Sequence, residues 1–188
     1  MFKILNFKKI FSVINIIGTV FIAHYAYADT TTTPTLNRLS EVRITGILAA
    51  EPCLVRPGDE EIQVNFGSIG NKDLYNQIKK TEPFIIHLDS CDTSIAKSVK
   101  VTFSGTATTS GLLQLNANSS ASGVGIRILD TNGTAVVLNQ PTKEQALIDG
   151  SNELQYTAYV QAEDDALNNK SIGLGDFNAS ATFELAYE

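Results

Sequence analysis

The sequence has little of what catalytic and metal sites are usually built from, with two histidines and two cysteines among 188 residues. His24 lies in a segment that is expected to be removed, which leaves His87, expected at a half-exposed strand position. No H-E-x-x-H, phosphate-binding glycine loop or ordered Ser-His-Asp set is present. The acidic pair Asp164-Asp165 lies in a polar stretch and is interpreted as a solvated turn. The sequence therefore predicts a protein that is not an enzyme and that uses no metal or cofactor.

Basic residues are also scarce, since 14 Lys and Arg stand against 20 Asp and Glu, for a formal net charge of −6 at pH 7. Removing the N-terminal segment takes away three lysines and no acids, which makes the charge of the remaining chain more negative still. Binding to phosphate backbones requires a basic surface. Nucleic acid is therefore not expected as a partner.

The N-terminus has the three parts of a signal peptide. Lysines at positions 3, 8 and 9 supply positive charge, residues 10–23 are mostly apolar, and Ala26-Tyr27-Ala28 offers the small residues that signal peptidase requires. Residues 1–28 are predicted to be the signal peptide, with cleavage after Ala28. The alternative is an uncleaved anchor, but the apolar stretch is short for a span of about 20 residues. The product is expected to be exported.

Two cysteines, Cys53 and Cys91, remain after cleavage. In an exported chain, two cysteines permit one intramolecular disulfide, which would stabilise the fold by about 4 kcal/mol on a loop-entropy argument. The alternative is a metal or redox pair. It is disfavoured because there is no C-x-x-C spacing and two thiols make a poor ligand set.

The chain from residue 39 onward consists of short strand candidates separated by turn-forming residues. Asn132-Gly133 between two candidates predicts a β-hairpin. Helical signal is limited to residues 73–80 and 143–148. Many short strands with frequent turns predict an antiparallel β-sandwich. The strand candidates are 62–66, 84–88, 99–103, 112–115, 124–129, 135–138 and 154–160.

Both ends of this region alternate apolar and polar residues, which is typical of half-buried strands. Near the N-terminus, a Thr-rich stretch is followed by a segment that has Val42 and Ile44 on one face and Arg43 and Thr45 on the other. At the C-terminus, the alternation over 177–187 is longer and no further strand follows it. Such a strand is expected to lack a pairing partner on one side.

Six motifs occur in order behind the signal peptide. With them, the chain resembles the type 1-like pilins of chaperone–usher fimbriae over essentially its whole mature region. The motifs are V-x-I-x-G (42–46), V-N-F-G (64–67), F-x-I-x-L-x-x-C-D (84–92), V-x-F-x-G (101–105), G-V-G-I-R-I-L-D-x-x-G (123–133) and G-D-F-x-A-x-A-T-F-x-L-x-Y (175–187).

The resemblance implies an all-β fold, an incomplete immunoglobulin-like sandwich that lacks its last strand and so has an apolar groove. A periplasmic chaperone would fill the groove first, and the extension of another pilin subunit would replace it during assembly at an outer-membrane usher, by β-strand addition. Residues 29–48 would be this donor extension, overlapping the first strand from about residue 46, and 46–188 the pilin domain. The alternative is that 39–48 form the domain's own first strand. The donor positions would be Ser40, Val42, Ile44, Gly46 and Leu48.

The resemblance also implies which residues meet the chaperone. The Glu188 carboxylate would be anchored by basic chaperone residues, and the product would travel through the periplasm to the cell surface as part of a fimbrium. Contact with a host surface would occur through the assembled pilus. A minor, adaptor or adhesive pilin and a secreted immunoglobulin-like binding domain are the alternatives. The groove residues would be Gly175, Phe177, Phe183, Leu185 and Tyr187.

Overall fold

The computed structural model describes residues 41–188, so the predicted signal peptide, the Thr-rich stretch and Ser40 lie outside the described residues. The chain divides after Gly46 into two units. The described part of the first unit, residues 41–46, has no regular secondary structure and is exposed to solvent.

The second unit consists of two antiparallel sheets. The elements are β1 (Leu54–Val55), α1 (Asn71–Tyr75), β2 (Thr81–Cys91), β3 (Ser98–Ser104), β4 (Leu113–Gln114), β5 (Val124–Leu129), β6 (Gln145–Ala146), β7 (Gly150–Ala162), α2 (Asp164–Asn169) and β8 (Thr182–Tyr187). One sheet has the order β1-β2-β7-β5-β4 and the other the order β6-β3-β8. None of the helices within residues 41–188 is long and apolar enough to cross a bilayer.

The core forms between the sheets because alternate residues of each strand point inward. In β3, the inward residues Val99, Val101 and Phe103 are buried, whereas the residues between them are half-exposed. Phe103 packs edge-on against Tyr156 of β7, with ring centroids 4.9 Å apart, and Phe84 of β2 stacks on the same tyrosine at 5.6 Å. This aromatic cluster joins the two sheets.

The predicted turn at Asn132-Gly133 is present. Asp130 accepts hydrogen bonds through its carboxylate from the backbone N–H groups of Asn132, at 2.9 Å, and Thr134, at 2.8 Å. Gly133 has a φ of 73°, which glycine adopts without strain. The returning chain over 135–138 pairs through a single bridge, between Leu129 and Ala135, and does not form the strand that its sequence predicts.

Several other expectations are corrected. Residues 62–66 form no strand, residues 143–148 contain the short strand β6 where a helical turn was expected, and the acidic stretch around Asp164 begins helix α2 where a turn was expected. The first strand begins at Leu54, not near Gly46. The long C-terminal alternation is a regular strand only over β8. The errors that concern strands are errors of pairing, which depends on a neighbouring strand and not on the local pattern.

Cys53 and Cys91 form a disulfide, as expected, with their Cα atoms 4.1 Å apart. Cys53 directly precedes β1, and Cys91 is the last residue of β2. Because β1 pairs with β2 through Leu54 and Asp89, the disulfide fixes the end of an edge strand that has two residues of its own.

We predict that alkylation of the exported protein without reductant labels neither cysteine, and that alkylation after unfolding in reductant labels both. Replacing both cysteines by serine should lower the free energy of unfolding by about 2–5 kcal/mol, because the unfolded chain is then no longer closed into a loop. Mass spectrometry and urea unfolding measure the two effects. Two thiols labelled without reductant would contradict the disulfide.

Candidate functional site

An open groove of about 1170 Å³, with an apolar floor, runs between the two sheets of the domain. Its floor is made by side chains from both sheets, and its two walls are residues 60–69 on one side and 172–183 on the other. Among residues 41–188, the charged side chains that line it are acidic, those of Glu60, Glu61 and Asp176. The main floor residues are Phe84, Phe103, Ile126, Ile128, Ala158 and Val160.

The first wall, residues 60–69, has no regular secondary structure and belongs to neither sheet. Ile62 and Val64 are half-buried and Phe66 is buried, whereas the residues between them are exposed. Among the described residues, none forms a backbone–backbone hydrogen bond with any of these ten. The wall therefore presents apolar side chains to the groove and polar backbone groups that have no strand partner.

The second wall, residues 172–183, leads into β8. At Gly175 and Asp176 it packs against the loop 116–121. Gly175 has a φ of 144°, and a Cβ on it would lie 2.6 Å from the Cβ of Ser120. The backbone N–H of Ser120 donates to the carbonyl of Asp176 at 2.8 Å. Phe177 meets Phe66 of the first wall, with ring centroids 6.2 Å apart. Gly175 thus permits the close approach of two loops.

Strand β8 pairs with β3 on one side and is an edge strand on the other. Ser98 and Glu188 exchange both backbone hydrogen bonds, at 3.0 and 2.9 Å. Because hydrogen-bonded pairs alternate along an antiparallel ladder, the backbone groups of Glu184 and Ala186 also point toward β3. Those of Phe183, Leu185 and Tyr187 point toward the open edge.

The predicted groove residues separate into two groups. Gly175, Phe177 and Phe183 line the groove, whereas Leu185 and Tyr187 lie further along β8, outside its lining. Leu185 and Tyr187 pair with Val101 and Val99 of β3 and are half-buried. Partial burial raises the pKa of the Tyr187 hydroxyl.

Glu188 forms hydrogen bonds within the subunit through both its backbone and its side chain. Its carbonyl oxygen accepts from the backbone N–H groups of Lys97 and Ser98, at 2.7 and 3.0 Å. Its side-chain carboxylate lies 2.6 and 2.7 Å from Nζ of Lys100, and this hydrogen bond raises the pKa of the lysine. A partner that binds the side-chain carboxylate has to compete with Lys100.

The predicted donor positions that the structure describes, from Val42 to Leu48, are exposed. Val42 and Ile44 are 82% and 89% exposed, and Gly46 and Leu48 are also exposed. No strand is formed over 41–50. The structure thus leaves the apolar side chains of Val42, Ile44, Ile47 and Leu48 exposed to solvent.

Comparison with known proteins agrees with this architecture. The family described as "Fimbrial protein" matches residues 42–188. The Fimbria A protein of Serratia marcescens is 36% identical over 149 residues, which cover 79% of this chain and 84% of that protein. The chain belongs to the fimbrial protein family.

Two solved structures share the fold of this fimbrial protein. The P pilus rod subunit PapA has a TM-score of 0.62 at 25% identity, over 73% of this chain and 100% of that one. A subunit from the structure of a chaperone–usher pilus has the same TM-score and identity, over 82% of this chain and 99% of that one. The recognition of a chaperone–usher pilin is confirmed, and so is its immunoglobulin-like sandwich that lacks a strand. The fimbrial protein is a structural subunit of a surface fimbria.

The missing strand has a defined place in this fimbrial protein. An immunoglobulin-like sandwich puts its last strand beside the strand that β8 represents, in the sheet that also contains β3. That place is the open edge of β8. The floor and first wall of the groove were missed from the sequence, although V-N-F-G contains Val64 and Phe66 of the wall. Nothing in the local pattern of residues 60–69 indicates that this segment has no strand partner.

We predict that the amide protons of Phe183, Leu185 and Tyr187 exchange with solvent faster than those of Glu184 and Ala186, which donate to β3. A synthetic peptide of residues 29–48 should slow the exchange of the first group by at least about tenfold and change the second group little. Brief hydrogen exchange on freshly refolded, dilute subunit, before it can self-pair, measures this when it is followed by NMR. Equal protection of both groups in the peptide-free subunit would contradict the open edge.

Proposed function

We propose that this fimbrial subunit polymerises by donor-strand exchange, with the extension 29–48 of one subunit entering the groove of another as its missing strand. The observation that carries the proposal is the open edge of β8 beside an apolar groove. An extended segment satisfies both features, because its backbone pairs with the edge and its alternate side chains enter the groove. Val42 and Ile44 have the matching alternation, and both are exposed in the subunit.

The energetics favour this occupant. Burying Val42, Ile44 and Leu48 contributes about 1.5–3 kcal/mol for each side chain, before backbone hydrogen bonds are counted. Gly46 falls on the same face, where a small residue lets the strand approach the groove closely. Ser40 completes the five proposed donor positions on this face. Arg43, on the opposite face, would stay in solvent.

The proposal includes the route of assembly. The signal peptide directs residues 29–188 to the periplasm, where a chaperone occupies the groove with one of its own strands, and an outer-membrane usher then exchanges the chaperone for the next subunit. The chaperone's basic residues bind the carboxylate of Glu188. Support comes from the half-buried face of β8, which continues past the groove through Leu185 to Tyr187, and from the likeness to a chaperone–usher pilus subunit.

We predict that V42D or I44D abolishes polymerisation, because an unpaired charge buried in an apolar slot costs several kcal/mol. R43D, on the outward face, is the matched control and should polymerise nearly as the parent chain does. Replacing Gly46 by a bulky residue should also block insertion, by steric clash. The readout is the ladder of heat-sensitive multimers on a gel run without boiling.

Two results would argue against the donor strand. If V42D and R43D have the same effect, the alternation of inward and outward positions is wrong. If V42D unfolds the subunit, so that it is no longer recovered with its chaperone, residues 39–48 are an internal strand of the domain.

We predict that the mature subunit aggregates or self-pairs when it is produced alone, because β8 has an open edge, and that co-expressing the chaperone yields a soluble one-to-one complex. Deleting Tyr187 and Glu188 should weaken that complex. K100A is the matched control, since it frees the Glu188 side chain without removing it, and it should not weaken chaperone binding. Gel filtration of the co-expressed proteins measures this. A stable monomer without chaperone or donor strand would contradict the prediction.

A further inference from the structure

The turn at residues 56–59 marks the point where the chain leaves the edge of β2. Strand β1 ends at Val55, and one more ladder-like bond lies beyond it, from the backbone N–H of Arg56 to the carbonyl of His87 at 3.0 Å. The backbone N–H of Asp59 then donates to the carbonyl of Arg56 at 3.0 Å, which closes the turn. Beyond this turn, the backbone no longer runs along β2.

At this point the side chain of Asp59 replaces a backbone hydrogen-bond partner of β2. The carboxylate of Asp59 accepts from the backbone N–H of His87 at 2.7 Å, and the same oxygen lies 2.7 Å from Nδ1 of the His87 ring. His87 is on β2, so its N–H would be unpaired once β1 has ended. Asp59 therefore takes the place of the backbone carbonyl that a longer β1 would have offered.

The contact is well enclosed for a surface pair. The His87 and Asp59 side chains keep exposures of 23% and 18%. Nearby, Arg56 binds Asp89 through two hydrogen bonds, at 2.9 and 3.0 Å, and Glu153 is the β7 residue paired with His87. The bond from the His87 N–H lowers the pKa of the Asp59 carboxyl, which therefore remains charged at neutral pH.

The first wall of the groove begins directly after Asp59, at Glu60. Residues 60–69 make no backbone–backbone hydrogen bond within the described chain. Toward its other end, the wall is held by Nζ of Lys80 on the carbonyl of Phe66. With no ladder of its own, the wall is positioned by these end contacts and by the packing of Ile62, Val64 and Phe66 on the core.

We propose that Asp59 is a positioning residue for the groove, whose carboxylate fixes where the chain leaves β2 and so sets the distance of Ile62, Val64 and Phe66 from β8. The inference rests on the proposed function, in which the groove holds a donor strand. Asp59 lies before the wall and acts through it. Its loss should let the wall move and shorten the lifetime of the bound strand.

The test uses the mature subunit loaded with a labelled peptide of residues 29–48 and challenged with excess unlabelled peptide. We expect D59A to release the labelled peptide at least about tenfold faster than the parent chain, a loss of about 1.4 kcal/mol. D59N, which keeps an oxygen for the His87 N–H, should restore most of the lifetime. H87Q, which keeps the N–H and loses the ring, should change it little.

D149A is the matched control. Asp149 also accepts from a backbone N–H, that of Thr93 at 2.8 Å, but it does not line the groove. It should lower the melting temperature without changing peptide release.

Equal release from D59A, D59N and the parent chain would overturn the inference, as would a D149A effect as large as that of D59A. If D59A yields no loaded subunit, the rates of peptide release from D59N and H87Q are compared instead. The inference is also overturned if H87Q releases the peptide faster than the parent chain and D59N does not. A parent subunit that never retains the peptide would overturn the proposed function and this inference with it. Normal retention with no effect of Asp59 would overturn the inference alone.

Discussion

The open backbone edge of β8 is the constraint on which the rest of this subunit depends. Polar groups of Phe183, Leu185 and Tyr187 face the place where another strand would lie, directly beside a groove lined by apolar side chains. Water can satisfy the edge but not the groove, and an apolar molecule can fill the groove but not pair with the edge. An extended peptide does both. The geometry therefore restricts the ligand first to an extended backbone and only then to particular side chains.

The remainder of the domain is built to hold that edge in place. Strands β2 and β7 pair over most of their length, and the disulfide ties the end of β2 to the start of β1. The aromatic cluster around Tyr156 joins the sheets beneath the groove, since Phe84 and Phe103 belong to both the cluster and the groove floor. A strand bound in the groove would thus pack directly on the side chains that join the two sheets. We infer that occupancy of the groove and stability of the sandwich are coupled.

The sequence allowed the faces of the strands to be predicted but not their partners. Alternation over 62–66 correctly indicates that Ile62, Val64 and Phe66 point inward, yet it carries no information on whether a neighbouring strand exists. Helix α2 was missed although Asp164 and Asp165 lie in its first turn, where acidic residues are favoured. The bond between Asp59 and His87 joins residues 28 positions apart, so no local pattern could indicate it. The six short motifs together predicted the pilin family, which no single segment could.

The proposed assembly also explains why the product is a fibre. The groove, on residues 47–188, and the extension, with its exposed Val42 and Ile44, are different surfaces of one chain. A contact between different surfaces is heterologous, so each association leaves one groove and one extension unsatisfied at the ends of the assembly. A symmetric dimer would need one surface to pair with itself. In the proposed assembly, the next subunit meets the constraint at β8 and brings the same constraint with it, so that further subunits can be added.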